Sequence, residues 1–385
     1  MRIFLKRGRA NPLWHGHPWV YSGAVEREEG SAEPGSAVEV CDSDGRLIGG
    51  GVWNPRSQIR VRMVTWRDEP VDAALIARRI DEALALRKKL GLPSAQTDAY
   101  RLINSEGDAL PGLIVDVYGK LAAVQFTALG MKRLEAAVFD ALQAHFSAVV
   151  EVAAGGFAQV EGFASATRVV RGESGPVRCR ENGVELEVDP LHGQKTGYFL
   201  DQRENRRRVG ELARGARVLD VYTYAGGFAL AALKNGAASA TCVDSSAKAL
   251  ERAQKHAELN GVKLETVEND AFRYLETVTP RSFDLVILDP PKFARAKKDL
   301  EAAMKGYQRL NALGLNACAE GALLVTCSCS QLVDEELFER ALAGAARDAG
   351  RRVQVLESRS QAPDHPVPPA FPEGRYLKAL FCRVL

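Results

Sequence analysis

The chain has 385 residues, with 51 Lys and Arg against 49 Asp and Glu and a formal net charge of +2. This length is enough for two or three domains, and 46% hydrophobic with 26% charged residues is typical of a soluble globular protein. No run of 18 or more apolar residues occurs, so we expect no membrane span. A charge so close to neutral argues neither for nor against a nucleic-acid partner.

Seven cysteines are scattered along the chain. An odd number without regular spacing does not indicate a disulfide framework. Residues 1–8 turn basic before any apolar signal-peptide core can develop. We therefore expect a cytoplasmic protein with free thiols. The Cys-x-Cys pair of Cys327 and Cys329 lacks the further ligands of a zinc site, with only His365 near it in sequence, so we expect no metal.

The N-terminal segment is typical of short strands. "PGSAVEVCDSDGRLIGGG" predicts strand, Asp-Gly turn and strand, and "SQIRVRMVTW" alternates apolar and polar residues. We expect a small β-barrel module here. Four basic residues and no acid occur among the first twenty positions: Arg2, Lys6, Arg7 and Arg9. Such a cluster can neutralise phosphates, although a solvated face is the commoner explanation of any single run.

The next segment changes period. "VDAALIARRIDEALALRKKL", residues 71–90, has helical spacing and ends at Gly91-Leu92-Pro93. "ALPGLIVDVYGKLAAVQFT" predicts two strands around Tyr118-Gly119-Lys120, and "MKRLEAAVFDALQAHF" predicts another helix. The segment is therefore expected to be an α+β domain.

The remainder begins with a predicted hairpin around Asn182-Gly183, within "RCRENGVELEVDP". From about residue 205 strands and helices alternate, which predicts an α/β doubly wound parallel sheet. "RRVQVLESRS" and "RYLKALFCRVL" supply two more strands, with a proline-rich loop between them.

In open α/β sheets, ligands bind beyond the carboxyl ends of the strands. Acidic or amide residues end four predicted strands, and the first is followed by a glycine pair that opens a helix: Asp220 with Gly226-Gly227, Asp244, Asn269-Asp270 and Asp289. An acid 18 residues after Gly226 suits a ribose diol. One such acid alone is better explained as a helix cap. A nicotinamide dehydrogenase shares this geometry, but the turn lacks G-x-G-x-x-G.

"VLDVYTYAGGFAL", "CVDSS", "ENDAF" and "LDPPKF" resemble, in order and spacing, the motifs of class I S-adenosylmethionine-dependent methyltransferases. With "HGQKTGYFLDQRENR" upstream and "TCSCS" downstream, the whole chain resembles bacterial 23S rRNA 5-methylcytosine methyltransferases of the large-subunit I type. The resemblance implies a PUA domain over residues 1–69, a middle α+β domain over 70–178 and a Rossmann-like methyltransferase domain over 179–385. It also implies S-adenosyl-L-methionine as cofactor and 23S rRNA as partner.

The resemblance assigns the cofactor residues by motif. Those expected to contact S-adenosylmethionine are Gln202, Arg203, Asp220, Tyr222, Thr223, Gly226, Asp244, Ser245, Asn269, Asp270 and Asp289. Among them Asp244 is assigned to the ribose hydroxyls and Asp270 to the adenine amino group, while the Tyr222-Thr223 backbone faces the methionine portion. Arg203 is explained equally well as a surface arginine of a basic helix that also holds Arg206, Arg207 and Arg208.

Carbon 5 of cytosine is a poor nucleophile unless a thiolate first adds to carbon 6. In the family the Thr-Cys-Ser cysteine is that nucleophile, which implies Cys327 here, with Asp289 assisting at the base. Cys329 is the competing candidate, and either thiol could be a small core hydrophobe. Many related enzymes carry a second cysteine where this chain has Lys292, so the residue that releases the product stays unassigned.

Two other functions remain open. An exocyclic N-methyltransferase acting on guanine or adenine fits "DPP" followed by an aromatic residue, which residues 289–293 approach. A non-catalytic RNA-binding factor fits the PUA-like module and the basic clusters. The sequence also leaves a homodimer open.

Overall fold

The computed structural model describes residues 1–193, 196–294 and 296–385. Two compact units are present. The first comprises residues 1–181, 187–200 and 363–374, and the second comprises residues 182–186, 201–362 and 375–385. No helix in the described residues is long and apolar enough to cross a membrane.

The N-terminal part of the first unit is one six-stranded sheet. Its elements are β1 (Arg2–Leu5), α1 (Asn11–Trp14), β2 (Trp19–Tyr21), β3 (Val25–Glu29), β4 (Ala37–Cys41), β5 (Leu47–Trp53) and β6 (Ile59–Thr65). The strand order is β2-β6-β5-β4-β1-β3. The predicted Asp-Gly hairpin is the antiparallel pair β4–β5, and β1 pairs in parallel with β4.

A five-stranded sheet with helices forms the rest of that unit. Its elements are α2 (Ala73–Lys89), β7 (Ala99–Asn104), β8 (Leu113–Tyr118), β9 (Leu121–Phe126), α3 (Leu129–Arg133), α4 (Glu135–Gln143), β10 (Ala148–Glu151), α5 (Gly156–Glu161) and β11 (Arg168–Arg171). The order is β11-β10-β9-β8-β7. The single helix predicted over 131–146 is two helices, because Leu134 leaves helical geometry (φ −91°, ψ 13°).

The predicted hairpin is confirmed as β12 (Val177–Glu181) and β13 (Val184–Val188). Asn182 and Gly183 have φ of 48° and 79°. Two successive positive φ angles are what a type I′ turn requires, and Asn-Gly tolerates them best.

The second unit contains a seven-stranded sheet. Its elements are α6 (Arg203–Leu212), β14 (Arg217–Val221), α7 (Gly227–Lys234), β15 (Ser239–Asp244), α8 (Ala247–Leu259), β16 (Glu265–Glu268), α9 (Ala271–Thr277), β17 (Phe283–Leu288), α10 (Leu300–Ala317), β18 (Cys318–Ser328), α11 (Glu335–Asp348), β19 (Val353–Arg359) and β20 (Lys378–Val384). The order is β16-β15-β14-β17-β18-β20-β19.

The direction of β20 refines the predicted parallel sheet. Strands β14 to β18 are parallel to one another, whereas β20 runs antiparallel to both β18 and β19. Successive residues of the strands bury against opposite helical layers. Val286 and Leu324 pack with Tyr307 and Phe338 on one face, while Ile287 and Val325 pack in the cluster on the other face. The α/β doubly wound class is thus confirmed, with one antiparallel strand inside the sheet.

Candidate active site

The predicted strand-end residues meet at one edge of the seven-stranded sheet. In the parallel register, Val221 of β14 pairs with Val243 of β15 and with Leu288 of β17, and Asp244 pairs with Glu268 of β16. Asp220, Asp244, Asn269-Asp270 and Asp289 therefore end four adjacent strands. The structure brings together what the sequence separates by up to seventy residues.

Asp220 is the most deeply buried carboxylate of this edge. Its Oδ2 accepts hydrogen bonds from the Thr223 hydroxyl (2.7 Å) and the Ala229 amide (3.1 Å), while Oδ1 has no partner among the described residues. Burial raises the pKa of Asp220 to about 6. A buried acceptor without a partner is costly, so this oxygen is ready for a donor on a ligand.

The loop after β14 holds bulky residues in the left-handed region. Tyr222 and Tyr224 have φ of 63° and 50°, which is strained for aromatic side chains and accumulates at functional sites. Hydrogen bonds keep the loop in place: the Thr223 amide donates to the Val243 carbonyl (3.1 Å) and the Tyr224 amide to Asp244 Oδ2 (2.9 Å).

Gly226 closes this loop at the start of α7. Its φ is 80°, and a Cβ there would lie 3.0 Å from the Cβ of Ala253. Only glycine meets both conditions without strain. The glycine therefore lets the start of α7 pack closely against α8, which contains Ala253.

Helix capping explains Asp270 but not Asp244. Asp270 caps α9 by accepting from the Arg273 amide (3.1 Å). Asp244 does not cap α8, because Ser246 does so, and exposed Ser245 lies between them. Asp244 instead accepts from the amides of Ser246 and Tyr224, both at 2.9 Å. A carboxylate has about four acceptor positions, so room remains for ligand hydroxyls.

The upstream motif contributes two buried residues. The Gln202 amide donates to Asp289 Oδ2 (3.1 Å) and accepts from Asn205 (2.6 Å). Arg203 is only 3% exposed and pairs with Glu204 (3.2 Å), so it is not the surface arginine of the alternative explanation. Gln194 and Lys195 of the same motif lie outside the described residues.

The second basic cluster is not a free positive surface. Arg206 is buried beside the Phe228 ring. Arg207 pairs with Glu204 (2.9 Å), and the Arg208 Nε donates to Glu357 (2.7 Å). These ion pairs engage the charges of Arg207 and Arg208 within the protein. Arg7 and Arg9 of the first cluster, by contrast, are exposed.

Asp289 follows β17, and Cys327 follows Thr326, the last residue of β18 that pairs with β17. Cys327 does not end its strand as expected, because β18 continues to Ser328 and Cys327 pairs with Ala379 of β20. Asp289 is half-buried, and burial together with the nearby Asp201 charge raises its pKa to about 7. Cys327 is 0% exposed, and burial, reinforced by the charge of Asp289, raises its pKa well above its ordinary value. Gln202 contacts both groups and partly counteracts both shifts.

Cys329 lies just beyond β18 in a different environment. All seven cysteines are among the described residues, and Cys329 is the one that is not buried. The flanking serines are both buried and bond to the Tyr307 hydroxyl, at 3.0 Å for Ser328 and 3.1 Å for Ser330. Lys378 donates to the Ser330 carbonyl (2.7 Å). The sequence prediction missed Tyr307 and Lys378, although a lysine inside the apolar run "YLKALF" was a usable signal.

This sheet order, with acids at four strand ends and an open glycine turn after the first, defines a class I S-adenosylmethionine-dependent methyltransferase. A model described as an S-adenosylmethionine-dependent methyltransferase matches residues 163–383, and a PUA-like domain model matches residues 3–66. The chain is 40% identical over 395 residues to ribosomal RNA large subunit methyltransferase I of Erwinia tasmaniensis, covering 100% of both chains. It is 41% identical over 398 residues to that of Salmonella arizonae, covering 100% of this chain and 98% of the other. The chain belongs to the ribosomal RNA large subunit methyltransferase I family.

Solved structures share this fold at low identity. A Streptococcus mutans protein described as a candidate SAM-dependent methyltransferase matches with a TM-score of 0.84 and 20% identity, over 100% of both chains. A second protein, complexed with SAH, matches with a TM-score of 0.85 and 20% identity over 100% of both chains. These similarities establish the fold.

The residues present fit the cofactor of this class. S-adenosylmethionine carries an ammonium group, ribose hydroxyls and an adenine amino group, all of them donors. The edge offers the Oδ1 of Asp220, which has no partner among the described residues, the remaining acceptor positions of Asp244 and the exposed Asp270. S-adenosylmethionine is thus the cofactor of this methyltransferase.

Proposed function

We propose that the protein methylates carbon 5 of a cytosine in 23S rRNA, through a covalent bond between a cysteine sulfur and carbon 6. The proposal rests on one observation. Asp289 follows β17, and the Cys327–Cys329 segment lies at the end of the neighbouring strand β18. The relatives' shared name, ribosomal RNA large subunit methyltransferase I, supports the rRNA substrate.

The cofactor is held by the edge residues in this proposal. Asp244 and Ser245 take the ribose, Asn269 and Asp270 the adenine. The remaining assigned residues lie toward the methionine portion: Gln202, Arg203, Asp220, Tyr222, Thr223, Gly226 and Asp289. Bound there, S-adenosylmethionine supplies a methyl group made electrophilic by its positive sulfur.

The protein's own groups handle the proton and the thiol. The thiolate sulfur forms a bond to carbon 6, and the displaced electron pair makes carbon 5 nucleophilic. Asp289, with a pKa of about 7, is protonated in part of the molecules at neutral pH and can donate to N3 as electrons arrive there. After methylation a base removes the carbon 5 proton, the C5–C6 double bond returns, and the thiolate leaves.

Two thiols compete for the attack. The family motif favours Cys327, and its proximity to Asp289 and Gln202 supports that choice. Its complete burial and raised pKa oppose it, because the thiolate is the nucleophile and must reach the base. Cys329 is more accessible.

The decisive experiment traps the intermediate. The full chain is incubated with S-adenosylmethionine and 23S rRNA containing 5-fluorocytosine, and a shifted protein–RNA band is sought on a denaturing gel. We expect the adduct in wild type and its loss in Cys327→Ala or in Cys329→Ala, with the other variant as matched control. No adduct in wild type, or carbon 5 methylation by both variants, overturns the mechanism.

The alternative functions have weaker support. An exocyclic N-methyltransferase fits "DPP" followed by an aromatic residue, but here Lys292 follows "DPP", and Phe293 packs against Tyr307 with ring centroids 4.7 Å apart. A purely RNA-binding role leaves the partnerless Oδ1 of Asp220 unexplained. Calorimetry with S-adenosylmethionine excludes the binding-only role if Asp244→Ala loses a heat signal that wild type gives.

The PUA-like domain is the proposed first contact with rRNA, through exposed Arg7 and Arg9. The cytoplasmic location and the boundaries at residues 69 and 178 stay predictions. The homodimer is not carried into the proposal, since nothing among the described residues supports it.

A further inference from the structure

A buried lysine lies beside the thiol segment. Lys378 is the first residue of β20, pairs across the sheet with Ser328, and is only 8% exposed. Its Nζ donates to the carbonyl oxygens of Ser330 (2.7 Å) and Tyr376 (2.8 Å). Lysines are almost never this deeply buried unless they are paired. The proposed mechanism, which uses Asp289 and a cysteine, does not explain this burial.

Side-chain hydrogen bonds also hold the segment from Ser328 to Ser330 in place. The hydroxyls of Ser328 and Ser330 both bond to the Tyr307 phenol, and the Ala294 amide reaches Ser330 Oγ at 3.4 Å. Cys329, between two fully buried serines, is the residue left partly exposed. The lysine and the phenol therefore fix the backbone on both sides of this thiol.

We propose that Lys378 is a positioning residue that keeps the Cys329 thiol available as a thiolate, and that Cys329 supplies the sulfur that attacks carbon 6. The attack of Cys329 on carbon 6 rests on the proposed function, whereas the effect of Lys378 on the thiol concerns the free protein. The thiol proton passes to solvent, the thiolate sulfur bonds to carbon 6, and the same bond breaks when product leaves, so no oxidant or reductant is needed.

Electrostatics agree with this geometry. Burial lowers the pKa of Lys378 to about 8, while the charges of Cys329 and Asp334 act to raise it and that of Lys292 to lower it. Interactions between titrating groups are mutual, so the ammonium that a Cys329 thiolate stabilises also stabilises that thiolate. Cys327 has the opposite setting, because it belongs to an apolar core cluster and the Asp289 carboxylate has the largest charge effect on its pKa, which it raises.

The test is alkylation of the full chain by iodoacetamide between pH 6 and 10, with each cysteine followed by peptide mass spectrometry. We expect Cys329 to react first, with an inflection below the ~8.5 of a free cysteine. Lys378→Met should move that inflection up by about one pH unit and slow alkylation at pH 7 by about tenfold. Lys378→Arg should restore most of the reactivity. Lys305→Met removes an exposed, ion-paired lysine of α10 and should change nothing.

Three results overturn the inference. They are a wild-type inflection at or above ~8.5, a folded Lys378→Met protein with an unchanged profile, and faster reaction at Cys327 than at Cys329. The first and third need only wild-type protein, so they apply even if Lys378→Met does not fold.

The alkylation result separates this inference from the proposed function. If Lys378→Met shifts the profile but wild type forms no adduct with 5-fluorocytosine rRNA, the activated thiol stands and the carbon 5 chemistry fails. If wild type forms the adduct and Lys378→Met leaves both profile and adduct unchanged, the chemistry stands and the role of Lys378 fails.

Discussion

The strand ends of the seven-stranded sheet form two halves whose side chains suit different chemistry. In the acid half, at β14 to β16, the Asp244 and Asp270 carboxylates accept hydrogen bonds from backbone amides. In the thiol half, at β17, β18 and β20, burial raises the pKa of Asp289 to about 7 and lowers that of Lys378 to about 8. Carboxylates held in place by backbone amides suit recognition of a ligand, whereas groups that titrate near neutrality suit proton transfer.

The strongest test of this contrast removes the titrating carboxyl of the thiol half. Asp289→Asn should lower the methylation rate of 23S rRNA by roughly 100-fold to 10,000-fold, the range of general acid–base catalysis. Because protonated Asp289 is the donor, the wild-type rate should fall as pH rises through about 7, and the variant should lose that decline. Initial rates with tritiated S-adenosylmethionine measure both effects.

Asp284→Asn is the matched control, since Asp284 belongs to the same strand β17 and forms an exposed pair with Arg217. Its rate should stay near that of wild type. An Asp289→Asn rate within threefold of wild type contradicts the role of Asp289.

In the acid half, removal of a carboxylate should weaken the binding of S-adenosylmethionine. Asp244→Ala should raise the Kd for S-adenosylmethionine by about 100-fold, because hydrogen bonds to a charged group contribute roughly 1.5–3 kcal/mol each. The measurement is isothermal calorimetry on the full chain. Glu268→Ala, at the exposed position paired with Asp244, should bind normally, and equal affinity in the two variants would remove Asp244 from the site.

Asp220 is the exception in the acid half, and it makes a stability prediction. Its carboxyl ionises near 3.8 when unfolded and near 6 when folded, so the folded state binds more protons between these values. Stability from this group is therefore complete below pH 3.8 and is lost as pH rises through 6. The Asp220→Asn variant has no carboxyl to ionise, so it does not lose this part of the free energy of unfolding, which is at most about 3 kcal/mol.

Denaturant unfolding at pH 4, 5.5 and 7 should show Asp220→Asn gaining on wild type as pH rises. Calorimetry should meanwhile show weaker S-adenosylmethionine binding. A stability difference that does not depend on pH contradicts the assignment of the raised pKa to Asp220.

The smallest expected effect concerns the support of the thiol half. Tyr307→Phe removes the hydroxyl that joins Ser328 and Ser330 and should lower the free energy of unfolding by about 1 kcal/mol. Urea unfolding measures it, with Tyr274→Phe, a partly buried tyrosine against the same core, as control. Equal losses in both variants would mean that the hydroxyl cluster does not stabilise the segment.

Local patterns in the sequence were sufficient for most of the fold and for the acid half. Asp-Gly and Asn-Gly turns, alternation in the strands and helical spacing act over a few residues, and parallel strands bring their carboxyl ends together. Helix boundaries were less accurate, since the single helix predicted over residues 131–146 is the two helices α3 and α4.

The thiol half depends on contacts between distant residues, and there the sequence was insufficient. Arg208 and its partner Glu357 are 149 residues apart in the sequence. Lys378 and Ser330 are 48 residues apart. Cys327 lies inside β18 and is buried, whereas Cys329 lies just beyond its end and is partly exposed. The end of β18 depends on its pairing with β20 up to Ser328, and the two motif cysteines carry no local signal of that.

The position of β20 has a consequence for how the chain matures. This strand follows the other six in sequence but is inserted between β18 and β19. Until it arrives, β18 and β19 each expose an unpaired edge, which is a hazard for aggregation. The acid half can form from the strands already made, whereas the thiol half waits for Lys378. A ribosome-bound chain interrupted before residue 378 should thus have the elements of its cofactor edge but not those for chemistry on RNA.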